Sequence, residues 1–174
     1  IAGLLSAGIQ PTLHFPFHCR QPASPNNARP DNAARSVVPG CIPFPDACPP
    51  PDTLRLLLNA YARWGVRRVV FFDRPNLRGM WSSSAWLQGD LVERFLDLFL
   101  PAAALALEAG LSPIFPPLAP GGDYWDLSFL RSALRGLKRR CSRALLDRLI
   151  LSAEAFTGER PLDWGAGGPD RWPS

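Results

Sequence analysis

Apolar residues at helical spacing give way, repeatedly along this chain, to a short unbroken apolar run whose far end carries polar, glycine or proline residues. A period near 3.6 followed by a continuous apolar segment is the pattern of a buried strand fed by a helix that packs on it. Ile1 to Ala7 reads as the end of a helix closed by Gly8, and Gln10 to Phe17 as the first strand. Asp52 or Thr53 is placed to cap the next helix, where Leu54, Leu57, Leu58 and Tyr61 form one stripe and Gly65 stops the turn. The second strand is Val66 to Phe72. Asp90 opens a longer helix with Leu91, Phe95, Leu98 and Phe99, expected to kink at Pro101 and to run to Gly110; Ser112 to Leu118 is the third strand. Asp126 or Ser128 caps a helix carrying Phe129, Leu130, Ala133, Leu134 and Leu137, broken near Cys141 before a short helical turn at Arg143 to Arg148. Leu149 to Phe156 is the fourth strand.

Four strands separated by helices imply the α/β class, with a parallel sheet and right-handed crossovers. A (β/α) barrel and a doubly wound open sheet give the same alternation, so periodicity leaves the two open. The chain has 174 residues, 47% of them apolar and 20% charged, enough for one core. A complete barrel takes ~250 residues, so on the barrel reading residues 1–174 are a single partial-barrel domain and a fragment of a longer protein. Residues 21–51 hold nine prolines and no periodicity, and are expected to form a long Pro-rich βα loop. The chain opens at Ile1, with no basic-then-apolar leader and no run of ~18 apolar residues, so no membrane span is expected and the compartment is left open.

The most distinctive chemistry lies where the second strand ends. Val66-Arg67-Arg68-Val69-Val70-Phe71-Phe72 runs straight into Asp73-Arg74-Pro75-Asn76 and then a loop rich in Gly, Met, Trp and Ser. Barrels present their active sites at the carboxyl ends of strands, on the loops that follow.

This corner resembles the Asn-Glu-Pro turn on the fourth strand of clan A glycoside hydrolases, with Arg74 standing where that family places its acid/base glutamate. The four strands then look like strands three to six of such a TIM barrel. Trp81-Ser82-Ser83-Ser84-Ala85-Trp86, the segment Ala119 to Asp126 and the segment Arg160 to Pro169 are similar to stretches of glycosidase-like barrel proteins of bacteria. The resemblance implies a carbohydrate-associated domain, with the remainder of the barrel in the full-length chain. In the family the fourth strand supplies the acid/base and the seventh the nucleophile, two carboxylates ~5 Å apart in retaining enzymes; the seventh would lie beyond Ser174. A guanidinium stays protonated at ordinary pH and cannot shuttle a proton. The catalytic candidates are therefore Asp73 and Glu154, although regular strand alternation would aim Asp73 away from the side of residue 74. The other reading is a non-catalytic glycan- or surface-binding barrel in which Arg74 holds ligand.

Trp81, Trp86, Tyr124, Trp125 and Trp164 cluster in the expected strand-end loops. Sugar rings stack on such side chains while Asn76, Asp123 and Asp163 bond hydroxyls, or the rings simply seal the sheet against its loops. Glu154, at the end of an apolar strand, is either an inward site residue or a solvated one. His14, His18, Cys19, Cys41 and Cys48 are metal-ligand types, but their spacing matches no common zinc pattern, and a Cys41 to Cys48 disulfide is the better reading of that pair. No metal and no cofactor are expected. The glycines at 121, 122, 165, 167 and 168 lack the Lys-Ser/Thr of a phosphate loop. The net charge of +4 gathers on Arg131 to Arg148, read as a solvated helix face rather than a nucleic-acid surface.

Overall fold

The computed structural model describes residues 1–19, 50–87 and 89–154. Four strands, β1 (Thr12–Phe15), β2 (Arg68–Phe71), β3 (Ser112–Phe115) and β4 (Ile150–Leu151), form one sheet in the order β1-β2-β3-β4. Every pairing is parallel: Phe15 faces Phe71, Val70 faces Ile114 and Phe115 faces Leu151. The α/β expectation and the predicted strand order hold. Strands in consecutive order contain no reversal of direction across the sheet, which is the feature that creates a doubly wound fold.

The helices are α1 (Ala2–Ser6), α2 (Pro51–Arg63), α3 (Ser83–Trp86), α4 (Leu91–Glu108), α5 (Asp126–Arg140) and α6 (Arg143–Arg148). α2 packs beside α4, and α4 beside α5, so α4 is the centre of a helical layer that also touches β2 and β3. Periodicity explains its position: Leu91, Val92, Phe95, Leu96, Phe99, Ala102, Ala103 and Ala106 are all buried, one broad face. Pro101 is exposed and the helix continues through it to Glu108, as expected. α5 meets α4 closely because Gly136 has no side chain; a Cβ at that position would collide with Leu96.

Helix starts differ from expectation by a residue or two. Pro50 and Trp125, not Asp52 and Asp126, hold the N-cap positions of α2 and α5, and the two aspartates sit in the first turn, where their charge favours the amino-terminal dipole. Cys141 is extended and Ser142 accepts from the Leu145 amide at 3.3 Å, which ends one helix and starts the next, as the sequence pattern implies. α3 was not expected; Ser82 caps it.

The core is built from phenylalanine. Phe15 and Phe71 stack at 5.9 Å between ring centres, Phe95 meets Phe72, Phe99, Phe115 and Phe129 within 5.7 Å, and all of these side chains are buried. Each such ring contributes ~1.5–3 kcal/mol on leaving water. Pro113 sits within β3, where a missing amide would ordinarily break the ladder. Ser112 donates to Arg67 on the β2 side at 2.8 Å, so the next residue's amide position turns toward β4, whose pairing begins only at Ile114. No ladder bond is lost.

Among the described residues no helix is long and apolar enough to cross a membrane.

Candidate functional site at the carboxyl edge of the sheet

The regular path of β2 stops at Phe71. Phe72 and Arg74 then take φ values of 69° and 39°, the left-handed region that non-glycine residues visit at a cost of ~1–2 kcal/mol each. The turn at Phe72 breaks strand alternation. Phe71 and Phe72 both enter the core, Phe72 meeting Phe17 edge-on at 5.9 Å, and that burial offsets the backbone cost.

The same turn corrects the expectation that Asp73 and Arg74 face opposite ways. Arg74 Nη2 donates to Asp73 Oδ2 at 3.0 Å, and Nε to both carboxylate oxygens at 3.2 and 3.3 Å. The hydrogen bond and charge of Asp73 raise the guanidinium pKa above its usual value; desolvation opposes this and the more distant charge of Glu154 adds to it. Asp73, Arg74 and Glu154 therefore share one electrostatic neighbourhood.

Phe15, Phe71, Phe115 and Leu151 stand at one level across the sheet, and three residues beyond each lie His18, Arg74, Leu118 and Glu154. Two of these carry an orphaned atom: His18 Nδ1 and Glu154 Oε2 are buried and have no hydrogen-bond partner among the described residues. Buried polar atoms ordinarily find partners, and an unsatisfied one costs ~1–3 kcal/mol. His18 was weighed in sequence only as a metal ligand; in the fold it follows the end of β1, as Glu154 follows the end of β4. His14 is elsewhere engaged. Its Nε2 lies 3.1 Å from the Phe72 carbonyl, which only accepts, so that nitrogen carries the proton. Among the described residues no group of three or more His, Cys, Asp or Glu is placed to hold a metal ion.

Two expected ligand residues turn out to be scaffolding. Asn76 is fully buried: its Nδ2 donates to the carbonyls of Ala119 and Tyr124 at 2.8 and 3.1 Å, and its Oδ1 accepts from the Ala119 amide at 2.9 Å. It ties the loop after β2 to the loop after β3, and Gly122 leaves the room, since a Cβ there would strike Asn76 Nδ2 at 2.5 Å. Trp81 is buried as well and donates to the Pro75 carbonyl at 2.7 Å.

The remaining residues divide by exposure. Trp125, at the end of the loop after β3, is 61% exposed. Trp86 and Tyr124 are half-buried, Tyr124 standing edge-on to Phe129 at 5.5 Å. Asp123 is exposed and accepts from the Arg78 amide at 2.8 Å. Trp164, Asp163, Cys41, Cys48 with their expected disulfide, most of the Pro-rich loop and the end of the fourth strand lie outside the described residues.

Comparison of the chain with protein-family models, curated proteins and solved structures returns no match.

Proposed function

We propose that this chain is a carbohydrate-associated domain of glycoside-hydrolase-like type, one arc of a (β/α) barrel that binds a glycan at the carboxyl edge of its sheet. The observation that carries the reading is the unpartnered buried oxygen of Glu154, in the same electrostatic neighbourhood as the Asp73–Arg74 pair. A sugar hydroxyl donates to one group and accepts from another. It suits an edge that offers carboxylate acceptors, a guanidinium donor and an imidazole nitrogen, while exposed Trp125 offers a ring face for stacking. The consecutive strand order supports the barrel arc, and its other strands come from polypeptide outside these four.

Binding without turnover fits the corner better than hydrolysis. Asp73 is engaged as an acceptor for Arg74, and Arg74 itself is a fixed cation. General acid/base help is worth roughly 10²- to 10⁴-fold, and the corner supplies no free proton donor at residue 74. Saturation-transfer NMR with a panel of neutral and acidic oligosaccharides tests the reading. Saturable transfer to a sugar, lost in Glu154→Gln, is expected; no transfer to any member of the panel overturns it. Parallel assays should show no hydrolysis of the bound sugar, and efficient cleavage by the chain itself would overturn the non-catalytic assignment.

A further inference from the structure

Among the described residues, α5 is covered on one flank and bare on the other. On the covered flank, Phe129, Ala133 and Gly136 pack toward α4, and the rim is charged: Arg139 pairs with Glu93, and Arg140 with Glu93 and Asp97. On the opposite flank the helix again sets apolar residues beside cations, without a neighbour among the described residues. Leu127 and Leu134 are 63% and 39% exposed, and with Leu130 they line an open groove of about 510 Å³ bordered by Arg131, Arg135 and Lys138. Spacings of three and four residues put the three leucines on one stripe. At 100° per residue that stripe continues from buried Leu137 and lies away from α4. It marks the position beside α5 at which another helix would extend the α2–α4–α5 layer.

We infer that this flank seats an amphipathic α-helix with acidic flanks, contributed by a partner polypeptide. The argument is charge complementarity with a precedent in the same molecule: α4 binds α5 with an apolar centre and carboxylates on arginines, and the free flank presents apolar residues and cations awaiting the same counterpart. A neutral or basic helix would bury the leucines while leaving three cations facing no opposite charge. α1 of a second copy, which has no acidic residue, is a poor occupant for that reason. The inference stands apart from the carbohydrate reading, since none of its residues belongs to the carboxyl edge.

The test uses the full 174-residue chain and two synthetic helical peptides that share leucines at positions i, i+4 and i+7 and differ only in flanking Glu or Lys. Fluorescence anisotropy should show the Glu peptide binding at least about tenfold more tightly, a preference that shrinks with added salt. Leu134→Asp should abolish binding of both. Arg131→Glu, Arg135→Glu and Lys138→Glu together should invert the preference, and because these side chains border an open groove the melting curve should be retained. Equal binding of both peptides, or of neither, overturns the inference. So does sedimentation showing a dimer of the chain that Leu134→Asp dissociates, since a second copy would then be the occupant.

Discussion

Asn76 and Glu154 are both polar residues just past the end of a strand, and the fold treats them in opposite ways. Asn76 is wholly buried and its three side-chain hydrogen bonds are made by the protein itself. Glu154 keeps a buried oxygen with no partner among the described residues, near a pair of residues joined through strained backbone. A satisfied polar group of the first kind holds loops in place. An unsatisfied one persists only where the surrounding core over-determines it, which is the usual condition of a binding site. The carboxyl edge thus has a rigid half around Asn76 and Trp81, and a receptive half around Arg74 and Glu154.

The largest effect expected from this contrast is on the rigid half. Asn76→Ala leaves the Ala119 amide and the Tyr124 carbonyl without their partner, while the Ala119 carbonyl keeps the Gly122 amide, and should cost roughly 2–4 kcal/mol in chemical denaturation. A loss under ~1 kcal/mol would mean that the loops do not depend on it.

Cys19 gives the next largest effect. Burial pushes its thiol well above the ordinary value of 9.0, while its amide donates to the Met80 carbonyl at 2.9 Å. A thiol whose folded value lies above its unfolded one gives full stability below the unfolded value and loses it as pH rises. The unfolded chain ionises from about pH 9 upward while the folded chain keeps the proton. Stability should therefore fall above that pH by ~1.4 kcal/mol per unit more than in Cys19→Ala. Identical slopes in the two proteins would place the thiol in water.

Changes in the receptive half should be small for stability. Arg74→Gly relieves a left-handed residue, worth ~1–2 kcal/mol, and loses a solvent-screened ion pair that contributes little to stability. The melting temperature should stay level or rise while glycan binding disappears. A marked drop would assign Arg74 to the scaffold. Smallest of all, Trp125→Ala removes an exposed ring and should shift stability by less than ~0.5 kcal/mol, with weakened binding as its only consequence.

Much of this was legible in the sequence and some could not have been. Strand order followed from hydrophobic period, because buried parallel strands must be apolar throughout and the helices between them are amphipathic. The α5–α6 break was readable from Ser142, a local cap. The Asn76 node was not, since its partners lie 43 and 48 residues away and are backbone atoms that any residue supplies. Nor was the turn at Phe72 and Arg74, because no glycine announces it. Asp73, Arg74 and Glu154 were picked out as a polar corner and an odd carboxylate; only the fold, which brings the charge of Glu154 to bear on Arg74 beside Asp73, shows why they belong together. Trp81 could be read as a ring platform or as packing, and its burial favours packing, a distinction that composition does not make.

The central claim is that the unpartnered carboxylate of Glu154 is a glycan acceptor, and isothermal titration of the glycan found by NMR into wild-type protein and Glu154→Gln tests it most directly. The account predicts saturable binding by the wild type, a loss of at least about tenfold in Glu154→Gln, consistent with one charged hydrogen bond, and unchanged or higher thermal stability of the variant. Equal affinity of the two proteins, or a variant that binds poorly only because it has unfolded, would contradict it.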